Sequence, residues 1–183
     1  MKALGILPFA RKLIDTYIEQ GATVIDATCG NGNDTLYLAQ QLQGTGVIHA
    51  FDIQQSAINN TKDKTAAFNN IEYHLDGHQN VLDYVDSPVR LSIFNLGYLP
   101  KGDKSIVTLP QTTIQAIERI FSILEKEGII ILVIYPGHAE GQIEKEVVLN
   151  YLQQFNQEDA HIFKYEFINQ KNNPPFICAI EKR

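Results

Sequence analysis

The stretch Asp26-Ala-Thr-Cys-Gly30-Asn-Gly32-Asn33-Asp34-Thr35 decides the fold, because it joins a short apolar run to a segment of helical period. Residues 23–27 have the composition of a strand, and residues 34–43 repeat apolar side chains at helical spacing. Glycines at positions 30 and 32 let the backbone come close to a ligand, and the start of the following helix has N–H groups without partners. The stretch therefore predicts a strand, a ligand-binding loop and a helix in succession.

The rest of the chain repeats this alternation of short apolar runs and longer helical stretches, which is typical of a sheet built from strand–helix–strand units. The run at residues 128–135 has no polar alternation and predicts a central strand covered on both faces. No helix-length segment separates the last two apolar runs, so they predict a closing antiparallel hairpin. The sequence thus predicts an α/β fold in a single domain over residues 1–183. The predicted strands are 23–27, 47–52, 71–76, 89–95, 128–135, 161–167 and 176–180, and the predicted helices are 8–20, 34–43, 54–68, 111–124 and 140–154.

The composition excludes several classes of protein. With 44% hydrophobic and 20% charged residues, the chain is unlike disordered and coiled-coil sequences. Its longest apolar run is far shorter than the roughly 20 residues of a membrane span, and no signal peptide opens it, so we expect a cytoplasmic protein without membrane contact. The net charge of −6 argues against broad binding to a phosphate backbone. Cys29 and Cys178 lack metal-ligand spacing, so we expect free thiols and no bound metal.

The residues of the glycine loop decide between three kinds of cofactor. A dinucleotide fingerprint requires a third glycine where Thr35 stands, and a phosphate-binding P-loop requires a lysine after the glycines, which this sequence lacks. The loop offers instead a carboxylate, Asp26, which suits a ligand with an ammonium group, and S-adenosylmethionine is such a ligand. Asp52 closes the second strand, where an acidic side chain can accept both hydroxyl groups of a ribose. Asp76-Gly77-His78 ends the third strand, where the adenine edge would lie.

The end of the fourth strand carries the residues expected to hold the substrate. Asn95-Leu-Gly-Tyr98-Leu-Pro100 is a variant of the Asn-Pro-Pro-aromatic arrangement of methyltransferases that act on exocyclic amines. An Asn carbonyl can hold the N–H groups of an amine while its lone pair points at the methyl carbon, and Tyr98 can stack on a base or close the pocket. His138 follows the central strand and is a candidate for proton removal, with hydrogen bonding inside its loop as the alternative. The histidines inside predicted strands, expected to be core or surface residues, are His49, His74 and His161.

Five blocks of this sequence, in order, resemble one family, the small bacterial class I methyltransferases first labelled as rRNA methylases. The blocks are DATCGNGNDT, AFDIQ with the following Ala-Ile, FNLGYLPKGDK, IYPGHAEG with Glu144, and FINQKNNPPF. Together they cover nearly the whole chain. The chain departs from the family pattern at Cys29, where a small residue such as Ala is usual, and at Gly77, where Ser often precedes the His.

The resemblance implies a fold, a cofactor and a substrate. The fold would be a Rossmann-like, seven-stranded, mostly parallel sheet with an antiparallel last strand and helices on both faces, and the cofactor would be S-adenosyl-L-methionine. Members similar to this chain convert the 5-aminomethyl group of 5-aminomethyl-2-thiouridine at the tRNA wobble position to 5-methylaminomethyl, and they are homodimers. The expected partner is therefore the tRNA anticodon stem-loop. The loop pattern and the resemblance together assign to the methyl donor Asp26, Gly30, Asn31, Gly32, Asn33, Asp34, Asp52, Gln54, Gly77 and His78.

Other functions stay open on the sequence alone. The acidic charge and the lack of an appended RNA-binding domain also fit methylation of rRNA or of a small-molecule amine. An NAD-dependent oxidoreductase is disfavoured by Thr35, and a non-catalytic nucleotide-binding regulator would leave Asn95 and Tyr98 without a role. If the substrate is an RNA, the expected phosphate contacts are Arg11, Lys12, Lys101 and Lys104.

Overall fold

The structure, a computed structural model, describes residues 2–97, 107–137 and 139–183. Its helices and strands follow the predicted order, and a 3₁₀ helix that the pattern does not predict, His78–Asp83, follows the third strand. The helices are α1 Ile6–Tyr17, α2 Asn33–Leu42, α3 Gln55–Lys64, α4 Pro110–Ile123 and α5 Ala139–Leu152. The strands are β1 Thr23–Asp26, β2 Val47–Asp52, β3 Ile71–Leu75, β4 Val89–Leu96, β5 Leu124–Ile134, β6 Ala160–Tyr165 and β7 Phe176–Lys182.

The strands form one seven-stranded sheet in the order β3-β2-β1-β4-β5-β7-β6. The pairs β1–β2, β1–β4, β2–β3 and β4–β5 are parallel, and β7 is antiparallel to both β5 and β6. This topology confirms the predicted fold class and the closing hairpin. Because the first five strands are parallel, their carboxyl ends share one edge of the sheet, and the strand order reverses between β1 and β4. A ligand crevice is expected at such a reversal.

Helices cover both faces of the sheet because each helix carries one apolar stripe. On one face, buried residues of α1 and α2 such as Ile14 and Leu38 pack against the sheet. On the other face, Ile117 and Ile120 of α4 pack with Phe94 of β4. Among the residues that the structure describes, no helix has both the length and the hydrophobicity of a membrane span.

Several element boundaries differ from the predicted ones, and two of the differences have a clear tertiary cause. α3 ends at Lys64 rather than at residue 68, and the buried Thr65 fixes this end, since its hydroxyl group donates to the Thr61 carbonyl at 2.6 Å and lies 2.7 Å from the Tyr73 hydroxyl group. β5 begins at Leu124 rather than at residue 128, because Leu124 pairs with Val89 and the register then shifts before the regular ladder. Local composition does not reveal either tertiary contact.

Candidate active site

The glycine loop after β1 is held between β2 and α3. The Cys29 N–H donates to the Phe51 carbonyl at 2.8 Å, and the Gly32 N–H donates to the Cys29 carbonyl at 2.7 Å. Gly32 has a φ of 73°, and a Cβ atom at this position would lie 2.8 Å from the Thr61 Cα atom. Only glycine combines this left-handed conformation with so close an approach. The loop therefore has a fixed shape at the switch point of the sheet.

Asp26 lies inside the protein at the base of this loop. Its side chain is fully buried, one carboxylate oxygen accepts from the Thr35 hydroxyl group at 2.6 Å, and the other accepts from the Thr28 N–H at 3.3 Å. Burial, helped by the negative charge of Asp34, raises the pKa of Asp26 to about 7. This carboxyl group thus organises the loop, and its predicted role toward a ligand ammonium group stays a prediction.

Asp52 joins the end of β2 to the glycine loop and lines the pocket. One carboxylate oxygen accepts from the Gly30 N–H at 3.0 Å, and the other accepts from the Gln54 N–H at 2.9 Å. Burial raises the pKa of Asp52 above its ordinary value. Each oxygen still has acceptor capacity, since a carboxylate accepts about four hydrogen bonds. The side chain is therefore placed to accept hydrogen bonds from two hydroxyl groups of a ligand.

His78 contributes an unpaired acceptor at the end of β3. Its Nδ1 atom lies 3.1 Å from the Ala27 carbonyl oxygen, and because a carbonyl only accepts, Nδ1 carries the proton. The Nε2 atom is then an acceptor, and it is buried without a partner among the residues that the structure describes. Burial lowers the pKa of His78, so the ring is neutral at pH 7. Such an orphaned acceptor fits a pocket whose ligand brings an N–H or O–H group.

A pocket of about 240 Å³ connects these strand ends. Its described lining comes from five segments, namely residues 27–30, 52–54, 76–79, 95–97 and 107–112. Asp52 and Asp76 are its charged side chains, and no Lys or Arg is among the described lining residues. The pocket therefore favours a cationic ligand over a pyrophosphate.

Asn95 brings the end of β4 to the same pocket with its amide group already oriented. Its backbone N–H donates to the Thr28 hydroxyl oxygen at 2.7 Å, and its side-chain N–H donates to the Asp34 carboxylate at 2.7 Å. The amide oxygen lies 3.5 Å from the Tyr135 hydroxyl group, a long contact. Because Asp34 takes the amide nitrogen, the amide oxygen remains the group that can accept from a substrate.

The structure brings some predicted donor residues into the pocket and leaves others at its margin. Gly30, Asp52, Gln54, Gly77 and His78 line the pocket. The amide oxygen of Asn31 accepts from Asn60 at 3.1 Å, and that of Asn33 accepts from Lys64 at 2.6 Å. The predicted donor residues that do not line the pocket are Asp26, Asn31, Gly32, Asn33 and Asp34.

The remaining predicted residues divide into two groups. Tyr98, His138, Lys101 and Lys104 lie outside the described residues. Arg11 and Lys12 are exposed on α1, and the Arg11 guanidinium group lies 4.9 Å from the centre of the Tyr37 ring. The Tyr17 carbonyl at the end of α1 accepts from Arg90 near the start of β4, so the N-terminal end of α1 points toward the edge of the sheet where the parallel strands end.

Glu144 is a buried residue whose role the sequence pattern does not assign. Only 2% of it is exposed, and its carboxylate accepts from the Thr108 hydroxyl group at 2.5 Å and from the Thr113 hydroxyl group at 2.7 Å. Thr108 lines the pocket, so Glu144 ties α5 to the pocket wall. One signal could have revealed it, since Glu144 follows the spacing of the buried α5 residues Gly141 and Val148.

The comparisons with known proteins agree with this geometry. Residues 48–181 match the family described as "Putative rRNA methylase". The chain is 37% identical over 179 residues to the chloroplastic "tRNA (mnm(5)s(2)U34)-methyltransferase" of Arabidopsis thaliana, a match that covers 90% of this chain and 65% of the length of that relative.

Two solved bacterial structures match over almost their full length. The "putative rRNA-methylase" of Clostridium thermocellum is 44% identical, with a TM-score of 0.97 and 100% of both chains covered. A "putative methyltransferase" of Streptococcus mutans, solved in complex with SAH, is 34% identical, with a TM-score of 0.90 and 99% of both chains covered. The chain therefore belongs to the family described as "Putative rRNA methylase", a family of S-adenosyl-L-methionine-dependent methyltransferases with the class I Rossmann-like fold.

Proposed function

We propose that this protein is an S-adenosyl-L-methionine-dependent N-methyltransferase that converts the 5-aminomethyl group of 5-aminomethyl-2-thiouridine at the tRNA wobble position to 5-methylaminomethyl. The observation that carries the proposal is the amide group of Asn95, which Asp34 orients at the pocket end of β4. The activity named for the Arabidopsis relative supports the choice of substrate.

The pocket fits S-adenosyl-L-methionine by charge and by hydrogen-bonding groups. Asp52 and Asp76 suit a ligand that carries sulfonium and ammonium charges. Asp52 would accept hydrogen bonds from the ribose hydroxyl groups, and the Nε2 atom of His78, unpaired among the described residues, would accept one in the adenosine half of the pocket. When bound, the cofactor supplies an electrophilic methyl group.

The substrate half of the pocket works by orientation. The amide oxygen of Asn95 accepts an N–H of the substrate amine and fixes the direction of its lone pair. Tyr98 stacks on the wobble base, and His138 assists removal of the amine proton. A primary amine outside the aromatic ring needs no activation of a ring carbon, so this mechanism requires no covalent enzyme nucleophile.

The RNA contacts are local because the whole chain is acidic, with a net charge of −6. Arg11 and Lys12 on α1, together with Lys101 and Lys104 in the segment that follows β4 in the sequence, contact the anticodon stem-loop. Bases in that loop are unpaired and can be moved into a pocket and stacked on an aromatic side chain. We further propose that the protein acts as a homodimer in the cytoplasm.

Methylation of rRNA is the second candidate, and the description of the matched family favours it. A single experiment separates the two. Nucleosides of tRNA from a strain lacking the gene are compared by mass spectrometry with those from the parent and from a strain complemented with Asn95→Ala. The proposal predicts that 5-aminomethyl-2-thiouridine accumulates in the first and third strains. If it does not accumulate, and a methylated rRNA nucleoside is lost instead, the rRNA alternative is correct.

A further inference from the structure

A second cluster of chemically active side chains lies at the β2–β3 edge of the sheet, outside the described lining of the cofactor pocket. It comprises His49 on β2 with Glu72 and His74 on β3. His49 pairs with Glu72 in the parallel register, and His74 pairs with Phe51, so all three side chains project from the same face of the sheet. The strand register therefore brings these three side chains together, and no local sequence motif indicates the cluster.

The distances inside the cluster are close to those between the ligands of one zinc ion. The His49 Nδ1 atom lies 3.1 Å from the His74 Nε2 atom and 3.5 Å from the Glu72 Oε2 atom. The three ligand atoms all lie within 4.8 Å of one another. Tetrahedral zinc with bonds of roughly 2.0 to 2.2 Å holds its ligand atoms about 3.3 to 3.6 Å apart, so the two histidine nitrogens would separate by only a few tenths of an ångström to bind it.

The electrostatics of the cluster also suit a cation. Imidazole nitrogens and carboxylate oxygens are both ligands that zinc binds in proteins. Carboxylate groups act electrostatically on both rings, with Glu72 and Asp86 acting on His49, and Glu72 and Asp76 acting on His74.

The histidine rings are held in place by their neighbours. The His74 ring packs against Phe51 with centroids 4.5 Å apart and against Tyr84 with centroids 4.4 Å apart. The Tyr84 hydroxyl group donates to Asp76 at 2.9 Å, which fixes the ring that covers His74. The Glu72 side chain is 57% exposed, so a metal ion and a water molecule can reach the cluster from solvent.

We propose that His49, Glu72 and His74 bind one Zn²⁺ ion, with water at the fourth position. Two imidazoles and one carboxylate are a known set of protein ligands for zinc with an open position. The ion would cross-link β2 and β3 close to their carboxyl ends, where Asp52 and the segment 76–79 line the cofactor pocket. No metal site is expected from the sequence, because these ligands lie on two strands without a recognisable spacing.

The test uses untagged protein that has been stripped of metal with a chelator. Zn²⁺ binding is measured by calorimetry, and Co²⁺ is added as a spectroscopic substitute that reports tetrahedral geometry. The wild type is compared with His74→Gln, with Glu72→Gln and with His161→Gln, a matched control on β6 whose histidine is exposed. Circular dichroism checks that each variant is folded.

The proposal predicts one equivalent of Zn²⁺ and a tetrahedral Co²⁺ spectrum for the wild type and the control. Removal of a residue that hydrogen-bonds to a zinc ligand typically weakens metal binding about 10- to 100-fold. Loss of a ligand itself should weaken Zn²⁺ binding by at least this factor. If His74→Gln does not fold, Glu72→Gln decides, because its side chain is mostly solvent-exposed. A wild type that binds no Zn²⁺ would show that His49 and His74 are only a hydrogen-bonded pair. Equal affinity in all variants would also overturn the proposal.

Discussion

Replacement of Asp52 by Ala should weaken binding of the methyl donor without unfolding the protein. Asp52 holds the Gly30 and Gln54 N–H groups at 3.0 and 2.9 Å and lines the pocket at the end of β2. Hydrogen bonds from ligand hydroxyl groups to this charged acceptor contribute roughly 1.5 to 3 kcal/mol, so the dissociation constant should rise about 10- to 150-fold. The two N–H groups also lose their acceptor, which should lower the free energy of unfolding by about 1 to 3 kcal/mol.

The affinity should depend on pH in a direction that burial of Asp52 determines. Burial raises the pKa of this carboxyl group, so it takes up a proton at a higher pH than an ordinary aspartate does. Only the ionised form can accept from both ligand hydroxyl groups while it holds the two N–H groups. Donor affinity should therefore be complete above the raised pKa and should fall as the pH drops through it. The Asp52→Ala variant should lack this dependence.

The assay is calorimetric titration with S-adenosylhomocysteine over a range of pH, with unfolding in urea measured in parallel. Asp63→Ala is the matched control, because Asp63 is an exposed carboxylate on the neighbouring helix α3. The control should bind the ligand like the wild type. An unchanged affinity in a folded Asp52→Ala variant would refute the assignment of this strand end to the cofactor.

Three other predictions concern the substrate, the buried carboxyl group and the RNA. Asn95→Ala should lower the single-turnover methylation rate by roughly 100-fold while donor affinity stays near normal, and an unchanged rate would exclude orientation of the amine by Asn95. The wild type should lose stability as the pH rises from about 4 to about 7, because the pKa of Asp26 is raised to about 7 in the folded protein and its carboxyl group ionises at a lower pH in the unfolded chain. Asp26→Asn has no such group, so its free energy of unfolding should rise relative to that of the wild type over this window. The gain is at most about 1.4 kcal/mol per pH unit in urea unfolding, and parallel stability curves would contradict it. The double variant Arg11→Gln/Lys12→Gln should flatten the dependence of RNA affinity on salt by about one unit of slope for each lost contact. Lys126→Gln is the control, because Lys126 is exposed near the start of β5, at the end of that strand away from the pocket, and it should leave this dependence unchanged.

The sequence predicts the sheet and the strand ends because hydrophobic period and glycine position are local properties. Asp52, Gly77 and His78 are predicted at the ends of parallel strands and line one pocket in the structure. Parallel strands bring their carboxyl ends to one edge, so the proximity of these residues, which come from the ends of two separate strands, follows from the topology.

The hydrogen-bonding partners of the site residues could not be predicted, because they depend on side chains that tertiary packing brings together. The contact of Asn95 with Asp34 joins residues 61 positions apart, and it decides which end of the amide faces a substrate. The proton position on His78 likewise follows from the Ala27 carbonyl, 51 positions away. The spacing of Glu144 on α5 indicates that it is buried, but its hydrogen bonds to Thr108 and Thr113, 36 and 31 positions away, depend on tertiary packing.

The central claim is methyl transfer to the exocyclic amine of a wobble nucleoside, and reconstitution with purified components tests it most directly. The protein is incubated with S-adenosyl-L-methionine carrying an isotopic label in its methyl group and with an anticodon stem-loop that contains 5-aminomethyl-2-thiouridine. A matched stem-loop with unmodified uridine and a preparation of rRNA serve as competing substrates. We predict that one labelled methyl group appears on the side-chain nitrogen of the modified nucleoside and on neither competitor. Labelling of rRNA without labelling of the aminomethyl nucleoside would contradict the proposed function.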